Sequence, residues 1–430
     1  MGEGVLTAGF RRRDGALHCD DVPLTAIAEA VGTPTFVYSA SAIREAHDRL
    51  ATALAGLPVR IHYAVKANSN LAVLRVLQEA GAGADIVSAG ELHRARLAGF
   101  RGEDIVFAGV GKTRWEMEHA LDAGVLFFNV ESEAELELLA QVAAERGEVA
   151  RVSLRINPGV DDAAAGHAYI TTGEAGSKFG IDVHRALDAA RVAMSHASLV
   201  LVGLDMHIGS QIGELAAFAA AQRRLRQLLD DVRTAGCRTI RWIDVGGGFP
   251  VAYTADEPRA DLQGFAGLLH KCFGDAGVQL IVEPGRYLVA EAGVLLSTVL
   301  YRKASGRKAF VVTDAAMNDL LRPSLYEAHH AIEPVVDTDV PLVTADIVGP
   351  VCETGDFLAT DREVADVPPG TLLAIRDAGA YGAVMSSNYN TRPRAAEVLV
   401  QGSQWGVVAA RESFDDIVRR ERVAPEWREG

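Results

Sequence analysis

Lysine is scarce in this chain. Of its 42 Lys and Arg residues only six are lysine, at Lys66, Lys112, Lys178, Lys271, Lys303 and Lys308. Any chemistry that needs a side-chain amine is confined to those six. Cysteine is rarer still: Cys19, Cys237, Cys272 and Cys352 lie far apart with no C-x-x-C pair, which argues against a disulfide scaffold and against a thiolate zinc site. No uninterrupted run of about 18 apolar residues appears, so no membrane span is expected. Residues Met1–Arg13 lack the apolar core and cleavage site of a secretory signal. Positive charge is also short. The 57 Asp and Glu residues outnumber the 42 basic ones, giving a net charge of −15, a poor match to nucleic acid or to an anionic membrane surface. These absences predict a cytoplasmic globular protein whose partners are small molecules.

What is present fits that frame. Apolar types make up 49% of the 430 residues and charged types 23%, the balance of an ordinary folded protein. At roughly 150 residues per domain the length suggests two or three domains, fewer if one is an α/β barrel of about 250 residues. Between residues 59 and 286 a short β-branched run followed by a helical stretch keeps returning. The predicted strands are Val59–Ala64, Ala84–Val87, Ile105–Ala108, Val125–Val130, Val152–Ile156, Leu199–Met206, Ile240–Val245 and Gln279–Val282. Helical spacing of apolar residues marks Leu71–Ala80, Glu91–Ala98, Glu131–Glu145, Leu215–Thr234 and Asp261–Phe273. Eight βα units are the number that closes a (β/α)8 TIM-type barrel; a doubly wound open sheet is the alternative. Beyond Leu295 short Val- and Ile-rich runs separated by Gly, Pro and Asp predict a β-rich domain, sandwich- or barrel-like. The expected division is therefore a barrel over 36–290 and a β-rich domain formed by 1–35 with 291–430. Within the latter, Val398–Ala409 is read as a strand and a helix, and the charged tail after Ala410 as a frayed helix.

In such a barrel the chemistry sits where strands end. The first strand runs into Val65-Lys66-Ala67-Asn68. A lysine there projects into the barrel mouth, where partial desolvation makes its amine more nucleophilic; a lysine snorkelling to solvent is the bland alternative. The sixth strand ends in Asp205-Met206-His207-Ile208-Gly209-Ser210, the seventh in Asp244-Val245-Gly246-Gly247-Gly248-Phe249 and the eighth in Glu283-Pro284-Gly285-Arg286. Each is weak alone: a lone His is more often a satisfied polar group, three glycines a flexible turn, and Glu beside Arg a solvated ion pair. Together they put an amine, a stacking ring, an anion cradle and a carboxylate on one rim, the parts that pyridoxal phosphate needs. Gly109-Val110-Gly111-Lys112-Thr113 imitates the end of a P-loop, but the leading glycine of that motif falls on Val106, so Lys112 is read as the start of a helix. Two later clusters add a carboxylate-binding pair, Arg322 and Tyr326, and a loop with a thiol and two carboxylates, Cys352-Glu353-Thr354-Gly355-Asp356.

The segments Tyr63–Asn68, His207–Gln211, Gly246–Pro250, Glu283–Arg286, Met317–Tyr326, Gly349–Asp356 and Gly379–Asn390 resemble, in order, the motifs of the diaminopimelate decarboxylases, which belong to the pyridoxal-phosphate decarboxylases built on an alanine-racemase-like barrel. The segments His167–Gly173 and Ser177–Gly180 resemble that subfamily rather than ornithine or arginine decarboxylases; Ala89 departs from the more usual glycine. The resemblance implies that Lys66 carries the cofactor, His207 stacks on its ring and Glu283 faces its pyridine nitrogen. It implies cofactor or phosphate contacts for Ser210, Gly248, Gly285, Arg286 and Tyr381, and substrate contacts for Arg286, Arg322, Tyr326, Glu353 and Tyr381. Cys352 and Glu353 would come from the neighbouring subunit of a homodimer with shared active sites, Cys352 returning a proton and Glu353 recognising the distal amino group. No metal is implied. The implied reaction is decarboxylation of meso-2,6-diaminopimelate to L-lysine, the last step of lysine synthesis. A decarboxylase of ornithine, arginine or lysine and a non-catalytic pyridoxal-phosphate-binding relative are the alternatives.

Overall fold

A computed structural model describes residues 9–159, 177–425 and 427–428. They form two compact units, Ala40–Ala292 and a second made of Gly9–Ser39 with the chain from Gly293 onward.

The first unit is a closed parallel barrel. Its strands are β1 (Val59–Ala64), β2 (Gly83–Ile86), β3 (Ile105–Phe107), β4 (Phe127–Val130), β5 (Ala150–Asn157), β6 (Leu199–Asp205), β7 (Trp242–Asp244) and β8 (Gln279–Val282). Each pairs in parallel with its sequence neighbour, and β8 pairs with β1 to close the ring. A short strand, Ile181–Asp182, adds to the end of β5. Helices between the strands bury the stripe that their apolar spacing dictates. In Leu215–Thr234 the buried positions include Phe218, Ala221, Leu225, Leu228, Leu229 and Val232, which recur at intervals of three and four. Asn70, Ser88, Thr113, Ser132 and Asp261 cap the helices that follow them, each accepting a backbone N–H in the first turn. At Gly99, Gly124 and Gly147 the chain leaves its helix in the left-handed conformation that glycine adopts at least cost.

Lys112 does not begin a helix. The following helix starts at Arg114 behind a capping box of Thr113 and Glu116. The Lys112 ammonium instead turns inward, 2.8 Å from Glu135 and 2.7 Å from the Asn129 carbonyl, with only 1% of its side chain exposed. A lysine stem is long enough to carry the charge to a partner in the next βα unit.

The second unit is built on a sheet in the order Phe357–Ala365, Leu342–Val348, Lys308–Thr313, Gly293–Ser305, Thr35–Ser39, Ala396–Gln401, Gln404–Ala409. Thr35–Ser39 pairs antiparallel with Gly293–Ser305 and parallel with Ala396–Gln401. The barrel unit therefore begins at Ala40 rather than at Phe36. The unit's core mixes both stretches of chain: Phe10, Leu17, Leu24 and Ile27 pack with Val37, Val294, Leu296, Val335, Val398 and Val400. Val398–Ala409 is not a strand and a helix. It lies within a hairpin, Ala396–Gln401 with Gln404–Ala409, turned at Gly402 with φ 59°. A two-residue loop with positive φ matches the twist of an antiparallel pair. The tail carries one short helix, Phe414–Val418, capped by Ser413 and Asp416.

Candidate active site

The ends of β1, β2, β6, β7 and β8 bring one set of residues together. Lys66 follows β1 in a single 3-10 turn, Val65–Ala67. Its Nζ lies 2.8 Å from Oδ2 of Asp85, a fully buried carboxylate on β2. The amine projects from the strand end as expected, but a carboxylate meets it there, so the ion pair rather than desolvation alone governs it.

His207 follows β6 and is fixed from below: its Nδ1 accepts the Gly247 N–H at 3.0 Å. Burial, then Arg155 and Lys66, push its pKa well below the usual imidazole range. A neutral ring with a lone pair on Nδ1 is what that hydrogen bond needs. The glycines are there for space. A Cβ on Gly246 (φ 69°) would lie 2.7 Å from His207 Nδ1, and one on Gly247 would lie 2.2 Å from the Glu283 carbonyl oxygen. Phe249 anchors this loop, packing edge-on against Phe265 with ring centroids 4.8 Å apart. Gln211 holds the facing loop through paired 2.9 Å bonds to the Val251 backbone.

Glu283 ends β8 with its side chain buried and Oε1 without a hydrogen-bond partner. Asp205 at the end of β6 and Asp244 at the end of β7 stand beside it, one oxygen of each of the three within 4.8 Å of the others. Burial and the neighbouring carboxylates Asp244, Asp85 and Asp205 raise the Glu283 pKa well above the usual range. Burial likewise raises Asp244 to about 7. On the other flank, Arg286 is buried and donates to Ser210 Oγ at 3.3 Å and to Tyr253 Oη at 2.8 Å. A Cβ on Gly285 would press on Ala64 and Ala67 at 3.1 Å, so glycine there lets β8 approach the Lys66 turn.

This set fits pyridoxal phosphate. It offers an amine, a neutral ring held flat by one bond, a buried carboxyl oxygen awaiting a donor, and a hydroxyl with a guanidinium beside glycines for a phosphate. Lys66, His207, Ser210, Gly248, Glu283, Gly285 and Arg286 all belong to it.

The remaining expected residues belong to the second unit, where three separate motifs converge. Asp356 accepts the backbone N–H of Met317 and of Val351, both at 2.7 Å, joining the Met317–Tyr326 segment to the Gly349–Asp356 loop. Cys352 N–H donates to Asn390 Oδ1 at 2.8 Å, and Ser387 N–H donates to the Asn318 carbonyl at 2.9 Å, drawing in the third segment. Cys352 and Glu353 are exposed, with Tyr389 Oη donating to Glu353 at 3.2 Å. Arg322 is buried, 2.9 Å from His330 Nε2, whose Nδ1 meets the Arg376 carbonyl at 2.7 Å. Tyr326 closes the short helix Arg322–Tyr326, and Tyr381 adopts a left-handed φ of 54°. Residues 167–173 lie outside the described residues; Ser177 remains visible, accepting from Asn157 Nδ2 at 3.0 Å.

Five residues of the first unit's site carried no role in the sequence reading: Asp85, Glu131, Arg155, Asp205 and Asp244. Glu131 accepts from Gly109 N–H, Gly180 N–H and, at 2.8 Å, Arg155. The available signal was a charged residue inside or closing an apolar strand, since buried charge is costly unless paired.

Comparison with known proteins agrees with this geometry. Residues 40–290 match the family described as the pyridoxal binding domain of pyridoxal-dependent decarboxylases. The chain is 47% identical over 405 residues to the diaminopimelate decarboxylase of Neisseria meningitidis serogroup B, covering 94% of this chain and 97% of that protein. It is 48% identical over 421 residues to that of Pseudomonas aeruginosa, covering 97% and 99%. The crystal structure of diaminopimelate decarboxylase from Helicobacter pylori complexed with L-lysine superposes with a TM-score of 0.89 at 39% identity, covering 93% of this chain and 99% of that one. The chain thus belongs to the diaminopimelate decarboxylase family of pyridoxal-phosphate-dependent enzymes.

Proposed function

We propose that this chain binds pyridoxal 5'-phosphate and decarboxylates meso-2,6-diaminopimelate to L-lysine and carbon dioxide, the last step of lysine synthesis. The observation that carries the reading is the convergence of the Lys66 amine, the buried Glu283 carboxyl and the glycine floor at neighbouring strand ends. Near-full-length identity to diaminopimelate decarboxylases supports the choice of substrate.

Bound pyridoxal phosphate supplies the electron sink for the bond broken to carbon dioxide. The chain's own residues divide the remaining work. Lys66 holds the cofactor through its amine and later displaces the product. His207, neutral and oriented by Gly247, would stack on the ring. Glu283 would pair with the pyridine nitrogen and keep it protonated, a pairing that favours the ionised carboxylate. Ser210, Gly248, Gly285 and Arg286 would hold the phosphate and the cofactor edge. Arg322 and Tyr326 would bind a substrate carboxylate, Arg322 being supported in its buried position by His330.

Cys352 returns a proton to the α-carbon and Glu353 takes the distal amino group, both acting in the site of the neighbouring subunit of a homodimer. Their exposure on the second unit suits that presentation. Among the described residues no helix is long and apolar enough to cross a membrane; a cytoplasmic biosynthetic enzyme is the matching setting. The test is carbon dioxide release from meso-diaminopimelate beside L-ornithine, L-arginine and L-lysine. Turnover of diaminopimelate alone is expected; turnover of ornithine with none of diaminopimelate overturns the reading.

A further inference from the structure

The carboxyl groups under the candidate cofactor site outnumber the cations that could balance them. Lys66 is matched by Asp85 at 2.8 Å and Arg155 by Glu131 at 2.8 Å. Asp205, Asp244 and Glu283 are then left with the far edge of one guanidinium, Arg155 Nε, which is 3.8 Å from Asp205. His207 adds no charge, since burial keeps it neutral. All three acids are buried, and each has one oxygen with no partner: Asp205 Oδ1, Asp244 Oδ2 and Glu283 Oε1. Three carboxylates within 4.8 Å of one another in a low-dielectric pocket cannot all be ionised, because burial and mutual repulsion both disfavour the charged form.

We propose that Asp205 and Asp244 are positioning residues that act through Glu283: they keep a proton on the three-carboxyl group in the empty site and release it when the cofactor's pyridine ring binds. The inference rests on the placement of Glu283 against the ring nitrogen. A ring whose nitrogen is already protonated brings its own N–H to Glu283. One carboxyl O–H bond then breaks, its proton passes to water, and the ring N–H takes its place against the freed carboxylate. No electron moves and no co-reactant is required. The group titrates as a unit, and its highest apparent pKa belongs to the group rather than to any one acid. Removing one member leaves two carboxylates with less mutual repulsion, so the proton is lost at lower pH.

The sign follows from linkage. A site that must lose a proton to bind gains affinity as pH rises, by at most about tenfold per pH unit, until the empty site is itself deprotonated. Burial and mutual repulsion raise all three acids, which places that rise above the ordinary carboxylate range. The probe is 4'-deoxypyridoxine 5'-phosphate, which has the ring and the phosphate but no aldehyde to engage Lys66. Its dissociation constant from the cofactor-free chain is measured between about pH 6 and about pH 8, with protons released counted by calorimetry in two buffers of different ionisation enthalpy. The free analogue's own titration is common to every protein, so differences between the curves report the bound state.

Affinity of the unaltered chain is expected to rise with pH through this range with a proton released. Asp205→Asn and Asp244→Asn, which keep shape and remove charge, are each expected to move the rise to lower pH by about one unit or more. Glu283→Gln is expected to abolish it. If the two Asn variants follow the unaltered curve while Glu283→Gln flattens it, the proton-storage proposal is overturned and the role of Glu283 stands. If Glu283→Gln also follows the unaltered curve, the placement of Glu283 fails. Should one Asn variant fail to fold, the other decides it, and the unaltered chain gives a second reading: binding with no proton released overturns the proposal.

Discussion

At the scale of single residues, Lys66 carries the sharpest expectation. Lys66→Ala should lose the visible absorption of the bound cofactor and the carbon dioxide release together; a retained band in a purified, dialysed variant would place the attachment elsewhere. His62 gives a stability test in the same strand. It is buried in β1 against Gly83, where an added Cβ would lie 2.8 Å from its ring. Burial, aided by Arg60, lowers its pKa to about 4. The folded state thus binds this proton less readily than the unfolded chain, whose imidazole titrates near 6.5. Its contribution is present above about pH 6.5 and lost as pH falls towards about 4. His62→Phe should flatten the fall of melting temperature across that window, and an unchanged slope would assign it to other groups. Lys66, His207 and Glu283 were legible in the sequence because each follows an apolar run at a strand end. Asp85, Asp205 and Asp244 were not, because their meaning depends on which strand ends become neighbours. Closure of the ring, which puts β8 against β1, is a property no local window contains.

At the scale of elements, the barrel strands and helices were readable to within a few residues, because the helix caps and glycine exits coincide with changes of hydrophobic period. The Val398–Ala409 stretch misled for a physical reason. Gly402 supplies the turn, but the partner strand Gln404–Ala409 is largely exposed and lacks the apolar alternation of a half-buried strand. Lys112 was also obscured, since it lies in a loop and its partner Glu135 lies on the helix after the next strand. Breaking a buried ion pair from one side leaves an uncompensated charge and costs about 3–5 kcal/mol. Lys112→Met should therefore lower the urea midpoint strongly. Adding Glu135→Gln to that background removes the stranded carboxylate and should recover part of the loss; no recovery would mean that the bond from Glu135 to the Glu131 N–H is the larger contribution.

At the scale of the whole molecule, the subunit claim is separable from the chemistry. Mixing inactive Lys66→Ala with inactive Cys352→Ala under exchange conditions should restore at most about a quarter of the unaltered activity, since half the dimers are hybrids with one intact site of two. No recovery despite verified exchange would argue for sites complete within one chain. The two-unit organisation was visible in the change of texture near Leu295. The assignment of Thr35–Ser39 to the second sheet was less so, because a five-residue buried strand reads alike in either setting.

That strand has a consequence for biosynthesis on the ribosome. Thr35–Ser39 is wedged between Gly293–Ser305 and Ala396–Gln401, so both of its hydrogen-bonding edges wait for chain made much later. At roughly 5–20 residues per second, the 253 residues between Ser39 and Gly293 take on the order of ten to fifty seconds to emerge. During that interval Phe36, Val37 and Tyr38, all buried in the finished protein, are presented to the cell as an unpaired apolar segment. The segment finds its two partners only once Gly293–Ser305 and Ala396–Gln401 have both been made.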